Sequence, residues 1–166
     1  MKINQDDTFW SFSLDCYRRP GASDCLIELQ DNFGLDVNIL LFCCWCGTTG
    51  RLPIDELLLS RISNIAGPWQ HQVVKRLRKI RREMKEGIPG ISAELSNPLR
   101  EKLKQLELEG ELIQQTVMAD VAPTPSQQPS AAAVRAALML YVEFSDLNLS
   151  RVLRAKLLKL TNVCGL

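Results

Sequence analysis

A chain of 166 residues, 46% of them apolar and 23% charged, is long enough for one hydrophobic core and short for two. A formal charge of +1 excludes strong long-range attraction to nucleic acid or anionic lipid, so such affinity has to come from a local patch. The longest strongly apolar run, Val37 to Cys46, is about half of what a bilayer-spanning helix needs, and Met1 to Asp7 lacks the blocks of a signal peptide; a cytoplasmic protein with no membrane part is expected.

Leucine-rich and aromatic-poor composition favours helix over sheet. Asp7 and Thr8 suit N-cap positions for a first helix, Phe9 to Arg19, which Pro20-Gly21 stops. Ser23 caps a short second helix, Asp24 to Phe33, with Gly34 at its C′ position. Asp36 caps Val37 to Cys46, which is apolar almost all round and therefore predicts a helix at the centre of a bundle. Pro53 suits the first turn of a fourth helix running to about Ile65, with Asp55 and Glu56 near its positive end.

Gly67-Pro68 predicts a break, followed by a helix from Trp69 to Glu86 with Val73, Val74, Leu77, Ile80 and Met84 as its apolar stripe. Asn97-Pro98 predicts the next start, and Leu99, Leu103, Leu106, Ile113 and Val117 recur at near-heptad spacing to about Asp120. The stretch VAPTPSQQPS predicts an extended, mobile connection. Two further helices, Ala131 to Phe144 and Ser150 to Asn162, close the chain, the last carrying Arg151, Arg154, Lys156 and Lys159. The expected architecture is an all-α, single-domain bundle of about seven or eight helices. Residues 1–120 form a helical core, 121–130 a Pro-rich linker, and 131–166 the C-terminal helices, packed on the core.

Two constellations stand out. The first is a basic face, Lys75, Arg76, Arg78, Lys79, Arg81, Arg82 and Lys85 against Glu83, which predicts a surface for a protein or nucleic-acid partner. Its competing role is pairing within the fold, because the next helix carries Glu101, Glu107, Glu109 and Glu111 and an antiparallel hairpin would set acids beside bases. The second is the polar turn that places Gln30, Asp31, Asp36 and Asn38 between two apolar helices. There Asp36 serves as a cap, while Asp31 and Asp36 are the weak catalytic candidates, as a carboxylate pair.

Cys43-Cys44-Trp45-Cys46 contains a C-x-x-C, but it lies inside the apolar helix near its C-terminal end, where the dipole raises a thiol's pKa. No recurrent zinc spacing accompanies it, so these cysteines are expected as small core residues, and all six thiols as reduced. His71 is the single histidine and supports no dyad by sequence. No metal site and no cofactor are expected.

The strings Phe9-Trp10-x-Phe12-Ser13-Leu14-x-x-Tyr17 and Cys25-Leu26 through Leu29-Gln30-Asp31, Gly34, Asp36-Val37-Asn38 and Leu40-Leu41-Phe42, with Trp45, resemble an uncharacterised proteobacterial family of conserved hypothetical proteins. The Trp69 helix, with Val73, Val74, Leu77, Arg78 and Arg81, resembles its second block. The resemblance covers roughly the first 90 residues and implies a bacterial source and a shared helical fold, without a reaction. The leading expectation is a non-enzymatic interaction module using the basic face; the alternative is a small enzyme or ligand-binding protein using the polar turn. Self-association through the Leu99 to Val117 heptads is a third.

Overall fold

The computed structural model describes residues 9–164. Among them run eight helices and no strand beyond a single Ile88–Ile91 bridge. They are α1 (Phe9–Arg18), α2 (Ala22–Phe33), α3 (Val37–Thr49), α4 (Glu56–Trp69), α5 (Lys75–Lys85), α6 (Ala93–Ala119), α7 (Ala131–Phe144) and α8 (Arg151–Cys164). The all-α class read from composition and periodicity is the observed one.

Helix α3 is the centre, as its all-round apolarity requires: every residue from Val37 to Gly47 is buried. Asp36 caps it by accepting from the Asn38 amide at 2.8 Å, and Gly50 ends it in the left-handed region at φ 69°. Phe9 of α1 stacks on Trp45, with ring centroids 5.2 Å apart, and meets Phe42 edge-on. Helix α7 packs along α3, α2 against α8, and α5 against α6.

The α3–α7 approach depends on Gly47. A Cβ there would stand 2.7 Å from the Val134 backbone nitrogen and 2.6 Å from its Cγ2, so one helix would have to move. Gly47→Ala is therefore expected to destabilise the fold by about 1–3 kcal/mol, an overpacking effect readable as a lower urea midpoint with unchanged helicity; a neutral result would mean that the two helices do not touch here.

Several boundaries differ from the sequence reading. The expected caps Asp7 and Thr8 lie outside the described residues. Helix α2 begins at Ala22, ahead of Ser23, and α4 begins at Glu56 with Asp55 rather than Pro53 at its entrance, the Asp55 carboxylate accepting from Leu58 N at 2.8 Å. Gly67-Pro68 does not break the chain. Helix α4 runs through Pro68 and continues into α5 by one wide π turn, Gln70–Val74, closed by the Lys75 amide on the Gln70 carbonyl. Pro68 removes one hydrogen-bond donor and crowds the preceding turn, and a widened turn beside it absorbs that misfit without ending the helix.

Helix α6 likewise starts before its proline. Ser92 caps it, accepting from Leu95 N, and Pro98 stands inside. The carbonyl that Pro98 leaves without a donor belongs to Glu94, an exposed residue that water can reach.

Residues 121–130 are extended, as three prolines demand, but fastened to the end of α3. Ser126 and Gln127 amides donate to the Gly50 carbonyl, Ser130 N to Gly47 O, and Arg51 to the Pro123 carbonyl.

The cysteine expectation holds in part. Cys25, Cys43, Cys44 and Cys46 are free and buried, and burial pushes the last three thiols up, Cys46 to about 12. Cys16 and Cys164, expected as free thiols, instead pair as a disulfide with Cα atoms 5.3 Å apart, because α1 and α8 meet although 148 residues separate them.

Candidate polar cleft

The basic face and the polar turn, read separately in the sequence, are two walls of one cleft of about 1010 Å³. Gln30, Asp31, Gly34, Leu35 and Asp36 line one wall. The other is formed by the π turn and α5, through Gln70, His71, Gln72, Lys75, Arg78, Lys79, Arg82 and Glu83. Ser63, Gly67 and Pro68 of α4, Ile39 of α3 and Tyr141 of α7 complete it.

The seven cations of the basic face are not equivalent. Arg78 and Arg81 turn toward α6: Arg78 Nε lies 2.7 Å from Glu107, its Nη2 2.5 Å from Glu111, and Arg81 Nε 2.5 Å from Glu107. The Arg78 and Glu107 side chains are only 14% and 8% exposed, so this is an internal ion-pair cluster, not a free surface. Of the four acids expected across the hairpin, Glu107 and Glu111 take this part, while Glu101 pairs with its neighbour Arg100. Burial pushes the Glu107 carboxyl up, but hydrogen bonds from Arg81 and Arg78 outweigh it and hold the group below the ordinary carboxylate range. For Glu111 burial dominates and its pKa is raised, although Arg78 opposes the rise.

Lys79 and Arg82 make looser contacts. Lys79 is 3.8 Å from Glu83, and Arg82, half exposed, is 3.5 Å from Asp31 across the cleft. Pairs this exposed contribute roughly 0.2–1 kcal/mol. Lys75, Arg76 and Lys85 are exposed, with no ion pair among the described residues. Lys75, Lys79 and Arg82 thus form a row at helical spacing on the cleft wall, about 10 Å long.

The polar turn is tightly engaged. Gln30 accepts from Arg78 and donates to Asp31 at 3.1 Å. Asp36, beyond its capping bond, accepts from Gln114 Nε2 at 3.3 Å, and its own amide donates to the Tyr141 hydroxyl at 3.0 Å. Burial raises the Asp36 carboxyl, with the Asn38 amide, Gln114 and Lys75 pulling the other way. Burial also raises the Tyr141 phenol, and the Asp36 charge adds to it. Asn38 faces inward, away from the cleft lining, and builds a buried network: it donates to Gln114 Oε1 and accepts from Gln115 Nε2, both at 2.7 Å, and Gln115 accepts from Ser13 Oγ at 2.9 Å.

Three lining residues carried little sequence signal. His71 was legible only as an isolated histidine; it stands on the π turn at the cleft. Gln70 is 3% exposed, and its Oε1 is buried without a hydrogen-bond partner. Tyr141 belongs to a helix after the linker, more than 100 residues from the turn that it meets. The adjacent Gln114-Gln115 pair, on the side of α6 that also buries Glu107 and Gly110, was the available hint of a buried polar network.

Fold and cleft together define an all-helical protein with a mixed-charge cleft beside its core. Residues 8–118 match the model of the family described as protein of unknown function (DUF2390), and the chain belongs to that family. The matched stretch includes both the polar turn and the basic helix, whereas the linker, α7 and α8 follow it. No curated protein and no solved structure matches the chain. No described helix is long and apolar enough to cross a membrane, and no group of three or more metal-binding side chains occurs among the described residues.

Proposed function

We propose that this protein is a non-enzymatic interaction module whose cleft receives an acidic segment of a protein partner. The observation that supports this most is the row Lys75, Lys79 and Arg82 facing the hydrogen-bonded turn Gln30 to Asp36. Charge-assisted contacts to carboxylates would come from this row, while buried Gln70 and exposed His71 offer polar groups on the same wall.

A nucleic acid fits less well. Arg78 and Arg81 are already held by Glu107 and Glu111, which leaves on the cleft wall a row of three cations about 10 Å long, short for the run of phosphates that a nucleic-acid strand presents. Catalysis by the carboxylate pair is also less favoured. Asp36 is committed to the α3 cap and to Gln114, and Asp31 to Gln30 and Arg82.

The test is a fluorescence titration with a short glutamate-rich peptide and with single- and double-stranded oligonucleotides of similar length, at roughly 20 and 200 mM salt. The peptide is expected to bind at low salt, to weaken at high salt, and to lose most of its affinity to the variant K75E/K79E/R82E, while the oligonucleotides bind more weakly. Absence of peptide binding at low salt, or a triple variant that binds equally well, would refute the reading.

A further inference from the structure

Helix α6 has a second side that neither the core nor the cleft uses. Glu107 points into the ion-pair cluster with α5, and about 100° round the helix from it stands Leu106, which is exposed. Leu106 belongs to a line, Leu95, Leu99, Lys102, Leu106, Glu109 and Ile113, spaced alternately four and three residues apart as in a coiled-coil seam. All six are exposed, Leu95 by 76% and Leu99 by 58%, although an apolar stripe of this length is ordinarily covered.

The two charges in the line say what covers it. Lys102 and Glu109 lie on either side of Leu106, and neither has an ion-pair partner among the described residues. A parallel pairing of two α6 helices would set Lys102 against Lys102 and Glu109 against Glu109. An antiparallel pairing about a two-fold axis at Leu106 sets each Lys102 close to the other copy's Glu109, and each Leu99 close to the other copy's Ile113. The stripe is therefore self-complementary in one orientation, which is what an isologous dimer requires.

We propose that two copies of this chain associate through α6, antiparallel, with Leu106 at the two-fold axis. This surface is separate from the cleft, so the dimer and the cleft's ligand stand or fall independently. The area is a single helix stripe and the association is expected to be reversible.

Sedimentation equilibrium over a range of protein concentrations tests it. The expected mass rises toward twice 18.7 kDa with concentration, and Leu106→Glu, or Leu99→Glu as a second variant, keeps the chain monomeric with unchanged helicity. K102E and E109K are each expected to weaken association about tenfold, and K102E/E109K to restore it. A wild-type chain that stays monomeric up to about 1 mM, or a dimer that both leucine variants leave intact, overturns the proposal. Single charge reversals without effect overturn the antiparallel register.

Discussion

Glu107→Ala is expected to destabilise the protein by about 3 kcal/mol, near the lower end of what removing one partner from a buried ion pair produces. Glu107 holds two guanidiniums, Arg78 at 2.7 Å and Arg81 at 2.5 Å. Its loss leaves Arg78 with Glu111 and Gln30, which moderates the effect, while Arg81 keeps partial access to water. The pH dependence has a definite sign. The folded-state pKa of Glu107 lies below its ordinary value, so its contribution is complete above the ordinary carboxylate range and is lost as pH falls through the lowered value. Glu111 and Asp36 act oppositely: their pKa values are raised, so the folded state holds their protons more readily, which favours folding as pH falls. Urea unfolding of wild type and Glu107→Gln near neutral pH and below about pH 4 separates these effects. The gap between the two proteins should narrow in acid; a gap that is constant with pH would mean that the cluster contributes through packing and not charge.

Asn38→Ala is expected to cost about 2–5 kcal/mol, because it leaves two buried amide groups without partners, each worth roughly 1–3 kcal/mol. These are the Gln114 oxygen and the Gln115 nitrogen, each 2.7 Å from the Asn38 side chain. Asn38, Gln114 and Gln115 are all buried, so bulk water cannot simply take over. Through Gln114 the network also reaches the Asp36 cap, and through Gln115 it reaches Ser13 of α1. The expected signature is a fall in the urea midpoint accompanied by exposure of the Trp45 region to solvent on milder heating. A loss below about 1 kcal/mol would show that the three amides are not a working network.

Features set by neighbouring residues were legible in the sequence. An all-round apolar segment with an aspartate ahead of it can hardly be anything but a capped, buried helix, and α3 is one. Gly34 as the end of α2 follows the same local logic, with φ 71°. Prolines misled where the helix had somewhere to put the misfit: Pro68 beside a π turn, Pro98 above an exposed carbonyl. Contacts across long separations had no local sign. Cys16 meets Cys164, and Tyr141 meets the turn at Asp36, only because of how α7 and α8 fold back.

The cleft shows the same division. Its residues were visible as two charged or polar clusters, but their facing each other is a property of the bundle. Charge counting along α5 overstated the free cations, since spacing alone does not say which of Glu101, Glu107, Glu109 and Glu111 turns toward the arginines. What the fold leaves available is the shorter row Lys75, Lys79 and Arg82, with Arg76 and Lys85 outside the cleft lining.

That distinction is tested most directly by following backbone and side-chain amide NMR signals while the glutamate-rich peptide is added at low salt. The account predicts that the signals of His71, Lys75, Lys79, Arg82, Gln30 and Asp31 move together and saturate, together with the Gln70 side-chain amide. Movement confined to the basic residues of α8, or no saturable movement at all, would contradict it.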